Sequence, residues 1–205
     1  IIKCTLQGTD QEETETYRAR VMATYNYRGF AGNREYYKSR LKELSGVYGC
    51  KLERVSAPSD RIKATIIGQD YRTPSEEVIS AAQTAVDPIV NSGEGEGFAP
   101  IGHRVTVIGV KETVVNIETT ITCESGYSPE ALKSYINQAV DNYLLSLRKK
   151  WEDSKTIIVR ILQIEAALIN ITGILDVVGT KINGAEKNLQ ITDGSVPVKG
   201  EVTCT

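Results

Sequence analysis

The sequence predicts an α+β fold, made of two mixed α/β units with small antiparallel or mixed sheets packed by helices. Three observations carry that expectation. Along the 205 residues, segments with apolar residues three and four apart interleave with short segments of alternating apolar and polar residues. Tyr37, Leu41, Leu44, Gly46 and Val47 line up at a constant offset with Ile164, Leu168, Ile171, Gly173 and Ile174. Each set reads as the apolar face of a helix, a glycine stop and the start of a strand. Between the two sets lies a loop, residues 91–102, dominated by glycine and glutamate. It divides the chain into an N-terminal unit over 1–92 and a C-terminal unit over 103–205, with 93–102 as a flexible connector.

The elements follow in order. Asp10-Gln11-Glu12-Glu13 has capping-box spacing, and Tyr17, Val21 and Tyr25 follow at helical intervals, so a first helix spans about 10–25. The stretch Asn26-Tyr27-Arg28-Gly29-Phe30-Ala31-Gly32 breaks it. Asn33 then caps a second helix, whose buried stripe is Tyr37, Leu41 and Leu44 and which ends at Gly46, a position suited to a left-handed residue. Residues 50–55 and 62–67 alternate as a strand pair around Pro58-Ser59-Asp60. Thr73-Pro74-Ser75-Glu76 combines a capping box with proline at the first helical position. Val78, Ile79, Ala82, Ala85, Val86 and Ile89 form the apolar face of that helix, and Pro88 ends it by disfavouring helical backbone at Asp87.

Beyond the glycine-rich loop, 105–110 reads as a strand and 115–123 as a half-buried one. Ser128-Pro129-Glu130 opens the clearest helix of the chain, with Leu132, Tyr135, Ile136, Ala139, Val140, Tyr143, Leu144 and Leu147 on its apolar side. Residues 156–159 form a short strand, 161–171 a compact helix stopped by Gly173, and 174–182 a strand leading to the hairpin signal Asn183-Gly184. Leu189 and Ile191 continue as the returning strand. Val196-Pro197-Val198 and Val202-Thr203-Cys204 form a final edge strand, where proline is tolerated.

Composition narrows the function. With 24 Lys+Arg against 26 Asp+Glu, the net charge of -2 gives no basic field to draw in nucleic acid. Cys4, Cys50, Cys123 and Cys204 stand singly, without the short spacings of metal or redox motifs, and read as reduced thiols. No signal-peptide pattern is visible, and the richest apolar stretch, 156–178, is broken by Arg160, Gln163, Glu165, Asn170 and Asp176, so the expectation is a soluble, intracellular product with no membrane partner. The chain starts at Ile1 without an initiator methionine, which suggests a fragment or a processed product.

The possible chemical motifs fall away one by one. His103 is the single histidine and has no co-ligands at metal spacing, so it is read as an ordinary residue at the start of a strand. Gly93-Glu94-Gly95-Glu96-Gly97 fails as a phosphate cradle, because two glutamates would repel phosphate and no Lys-Ser/Thr follows. Glu12-Glu13-Glu15 and Glu76-Glu77 lie in first helical turns, where the helix dipole explains them. No catalytic, cofactor-binding or metal-binding residue is therefore assigned, and no small-molecule substrate is expected. Tyr25, Tyr27 and Phe30 cluster near a chain break and are the candidate protein interface, since aromatic residues are enriched in such contacts. Gly46 and Gly173 are structural helix stops.

The order of motifs resembles the baseplate J-like family of contractile phage tails. The residues that carry the likeness are Gly8-Thr9-Asp10-Gln11-Glu12-Glu13-Thr14, Ala31-Gly32-Asn33 with Tyr36-Tyr37, and Leu44-Ser45-Gly46-Val47. Asp87-Pro88, Pro100-Ile101-Gly102-His103, Glu124-Ser125-Gly126-Tyr127 and Val196-Pro197-Val198-Lys199-Gly200 agree with it. The chain departs from the family at Tyr25-Asn26-Tyr27-Arg28-Gly29-Phe30, where small residues and prolines are commoner. The resemblance implies a baseplate wedge subunit of a phage, prophage or related contractile injection system. Such a virion structural protein assembles in the bacterial cytoplasm and acts through protein–protein contacts with other baseplate proteins and a second copy of itself. It has no cofactor and no enzymatic activity. The rival expectations are a ligand- or glycan-binding module of the same kind of particle, and a hydrolase with carboxylates distant in sequence.

Overall fold

The computed structural model describes residues 12–26, 30, 32–55 and 60–205, the side chains of 23–26 excepted. The chain folds as an α+β protein. Its elements are α1 (Thr14–Asn26), α2 (Arg34–Lys42), β1 (Gly49–Arg54), β2 (Arg61–Ile67), a short 3-10 turn (Gln69–Tyr71), α3 (Glu76–Val86), β3 (Arg104–Gly109), β4 (Glu112–Cys123), α4 (Pro129–Arg148), β5 (Ile157–Val159), α5 (Ile161–Ile169), β6 (Ile174–Ile182), β7 (Leu189–Ile191) and β8 (Val196–Cys204).

Of the capping box expected for α1, Asp10 and Gln11 lie outside the described residues; the Glu13 carboxylate accepts from the Thr16 amide at 2.9 Å and closes the first turn. Tyr17, expected at an inner position, is exposed, with the Arg20 guanidinium 5.2 Å above its ring.

The first sheet runs β1-β2-β3, with β1 antiparallel and β3 parallel to β2. A parallel neighbour needs a crossover, and α3 supplies it. Tyr37 and Leu41 of α2, Ala82 and Val86 of α3, and Leu52, Ala64, Ile66, Val105 and Val107 of the sheet close one apolar core. Residues 104–109, expected in the C-terminal unit, thus pair and pack with the first sheet. The Val110 amide donates to Ile66 in the first sheet, whereas the Lys111 carbonyl accepts from Val196 in the second. The α3 start also differs from expectation: Ser75 is its N-cap and Pro74 lies one residue outside, while the Thr73 hydroxyl donates to the Val110 carbonyl at 2.7 Å. At the other end Asp87 is extended, as a residue before proline should be, so Ile89 leaves the apolar face and is exposed.

The second sheet runs β6-β4-β8, with β4 antiparallel to β6 and parallel to β8. The stripe Leu132, Ile136, Val140 and Leu144 of α4 and Ile164 and Leu168 of α5 pack on its inner face, which offers Val115, Ile117, Ile121 and Val177. Alternation along β4 leaves Val114, Asn116, Glu118, Thr120 and Thr122 outward. Asn183 (φ 50) and Gly184 (φ 77) make the expected turn, yet only one bridge, Ile182 to Ala185, follows it. The returning strand β7 pairs with β5 instead, which buries Ile191 in the second core.

Candidate protein interface

The segments that follow α2 and α5 are alike down to their hydrogen bonds. The Leu44 amide donates to Leu41 and the Ile171 amide to Leu168; then Val47 donates to Leu44 and Ile174 to Ile171. Gly46 has φ 84 and Gly173 φ 97, left-handed backbone, while α2 and α5 themselves end four residues earlier, at Lys42 and Ile169, with Glu43 and Asn170 still right-handed. Each glycine is approached by a side chain of the chain itself. A Cβ at Gly46 would stand 2.8 Å from Val78 Cγ2, and one at Gly173 would stand 2.6 Å from the Tyr127 ring.

The region between the two sheets is tied by charged and aromatic groups. Trp151 is buried, its indole donates to the Gly194 carbonyl at 2.6 Å, and the Lys51 ammonium lies 4.5 Å from its ring centroid. That ammonium also donates to the Ser154 carbonyl at 2.7 Å, and burial holds the Lys51 pKa below its ordinary value. Glu152 meets Lys42 at 2.7 Å and Lys38 at 3.4 Å. Arg72 and Glu112 form a two-pronged pair, with bonds of 3.1 and 2.8 Å that lower the Glu112 pKa. Arg148, in the last turn of α4, is buried here; it donates to the carbonyls of Asp70 at 3.1 Å and Pro197 at 3.0 Å.

Of the predicted interface residues, Phe30 is exposed, while the Tyr25 side chain and Tyr27 lie outside the described residues. A second aromatic surface was not anticipated. Tyr135, expected in the core, is exposed on the border of the α4 stripe. It lines a groove of about 450 Å³ with Tyr127, Leu132, Ala139 and Ile171. Three-and-four spacing fits the border of a stripe as well as its centre, which is why the sequence did not separate Tyr135 from Ile136.

The connector expected to be flexible is folded against the end of α3. Asp87 is buried, and its carboxylate accepts from the Ser92 hydroxyl (2.7 Å), the Gly93 amide (2.9 Å) and the Val105 amide (2.8 Å). Phe98 and Ala99 donate to the Ala85 and Val86 carbonyls, and a Cβ at Gly97 would run into that same Val86 carbonyl. The sequence signal was Asp-Pro directly after a helix, followed by Asn-Ser-Gly, a pattern that offers donors to one carboxylate.

The His103 Nδ1 lies 2.8 Å from the Tyr37 hydroxyl, and the two rings stack. Burial, with the Asp87 charge, pushes the Tyr37 pKa up to about 12, so the phenol stays protonated. Burial likewise pushes the Cys50 thiol up to about 12, which removes its nucleophilic character at neutral pH. Among the described residues no group of three His, Cys, Asp or Glu side chains is placed to hold a metal ion.

Comparison with known proteins gives a consistent set. The model of the baseplate J-like central domain matches residues 29–109, and that of the baseplate J-like protein C-terminal domain matches 115–205. The uncharacterized protein YqbT of Bacillus subtilis strain 168 is 28% identical over 199 residues, and the phage-like element PBSX protein XkdT of the same organism is 26% identical over 197. Both alignments take in 96% of this chain and 55% of the relative, so the chain spans about half the length of the curated relatives it matches. Among solved structures, a chain of the anti-feeding prophage baseplate, determined by cryo-EM with 6-fold symmetrisation, superposes on 96% of this chain and 43% of its own length. The TM-score is 0.62 at 11% identity, a likeness of fold.

Proposed function

The chain belongs to the baseplate J-like family, and on that premise we propose that it is a wedge subunit of the baseplate of a phage tail or tail-like contractile particle. It works by assembly and carries out no catalysis. The observation that supports this most is the match of both family domains along the chain: the first ends at residue 109, where β3 ends, and the second begins at 115, inside β4. Two sheet-bearing units meet around residues 110–111, where Val110 bonds to the first sheet through its amide and packs in the second core through its side chain, and they present separate surfaces to different neighbours. Tyr25, Tyr27 and Phe30 belong to one such surface, and Tyr127 with Tyr135 to another. The partners are other baseplate proteins and a second copy of the chain, and assembly takes place in the bacterial cytoplasm. Rigid-body rearrangement of these contacts accompanies contraction.

Removal of the coding sequence from a producing strain tests this reading. The expected result by negative-stain electron microscopy is loss of complete contractile particles, restored by the gene supplied in trans. Undiminished, contractile particles in the deletion strain would overturn it.

A further inference from the structure

The folded loop after α3 holds three large aliphatic side chains in solvent. Ile89 is 80% exposed, Val90 92% and Ile101 79%. Apolar residues scattered singly over a surface are ordinary; these three are carried by one loop whose backbone is fixed from below. Asp87 spends its carboxylate on residues 92, 93 and 105. Gly102 donates to the Gly93 carbonyl at 2.8 Å, Glu94 donates to Asn91 at 3.1 Å, and the Asn91 side chain donates to Glu96 at 2.7 Å. Gly95, at φ 77, lies against Ile101: a Cβ there would stand 2.8 Å from Ile101 Cγ1. Fixing a loop in this way lowers the entropy cost of burying its tips in a contact. The loop also has a sign. Residues 88–103 contain Glu94 and Glu96 and no lysine or arginine, and the Arg104 side chain that lies against Gly93 is paired with Asp60 at 3.5 Å.

We infer that this loop is a docking knob. Ile89, Val90 and Ile101 enter an apolar pocket on a neighbouring protein of the assembly, and lysine or arginine on the pocket rim faces Glu94 and Glu96. The inference rests on the assembly reading above. A self-contact of the loop across a two-fold axis is disfavoured, because it would set Glu94 and Glu96 against their own copies. The acidic rim sets register and encounter rate, and the aliphatic tips supply the desolvated centre that carries binding energy.

The test uses whole particles. A photo-reactive benzoylphenylalanine replaces Val90 in the chain supplied in trans, and particles are irradiated and digested for mass spectrometry. The expected result is an adduct with one other particle protein, at apolar residues bordered by lysine or arginine. Val90→Asp should lower the yield of complete particles at least about tenfold. Because the side chain points into water, the melting temperature of the purified Val90→Asp chain should stay that of the parent. Glu94→Lys with Glu96→Lys should lower the yield as well. Parental yield from Val90→Asp, or an adduct only with a second copy of this chain, would overturn the inference. If deletion of the whole gene abolishes particles while Val90→Asp does not, the assembly reading stands and the knob alone falls.

Discussion

At the scale of single residues, Gly46 and Gly173 each combine left-handed backbone with a close side chain. Gly173 combines left-handed backbone with a ring face at 2.6 Å, whereas Gly126, with a similar φ of 96, has open space where a Cβ would go. Gly126→Ala should therefore cost about 1–2 kcal/mol, the price of the backbone alone. Gly173→Ala should cost more, because Tyr127 must move too, and urea denaturation of the two variants measures the difference. Equal losses would mean that the ring yields freely. A left-handed glycine after an apolar stripe was legible in the sequence, although each helix ends four residues before it. Its ceiling was not, since Tyr127 is remote in sequence and only the fold brings it over Gly173. The extended backbone at Asp87 was legible from Pro88, but the role of its carboxylate was not, because its three donors become neighbours only when the loop folds back on α3.

At the scale of elements, the echo between the two halves is a shared packing solution. Helices α2 and α5 are both nine residues long and begin and end at the same offset as the apolar residues between them. Leu41 and Leu168 are both fully buried, one packing against β1 and the other against β6. Leu41→Ala and Leu168→Ala should each destabilise the chain by about 2–5 kcal/mol, read from chemical denaturation, with the spread set by how far each site collapses. A loss well under about 1 kcal/mol in either would show that its helix is peripheral to its core. Elements with one clear buried face, such as β4 and α4, were legible from periodicity. Their pairing was less so. Alternation locates β3 and β7 but says nothing of partners or direction: β3 pairs with β2 in parallel across the α3 crossover, and β7 turns away from β6 to reach β5.

At the scale of the molecule, the two sheets are linked by buried Trp151 and Arg148 and by the ion pair of Arg72 with Glu112, none of which a linear reading could have joined. The hydrogen bonds from Arg72 hold the folded-state pKa of Glu112 below the ordinary glutamate value of 4.5. A depressed carboxylate contributes stability above its unfolded pKa and loses it as the pH falls through the folded value. Arg72 is half exposed, so the pair is screened, and Glu112→Gln should cost about 1 kcal/mol or less at pH 7. The gap between variant and parent should narrow as the pH falls below the ordinary glutamate value, as denaturation curves at neutral pH and in acid would record. A gap that persists in acid would assign the loss to packing. The claim that the chain works by assembly in a contractile baseplate is tested most directly by a cryo-EM reconstruction of the particle from its producing strain. The account predicts density for both sheet-bearing units within the baseplate, in contact with other proteins; finding the chain in the tube, sheath or head, or missing from the particle, would contradict it.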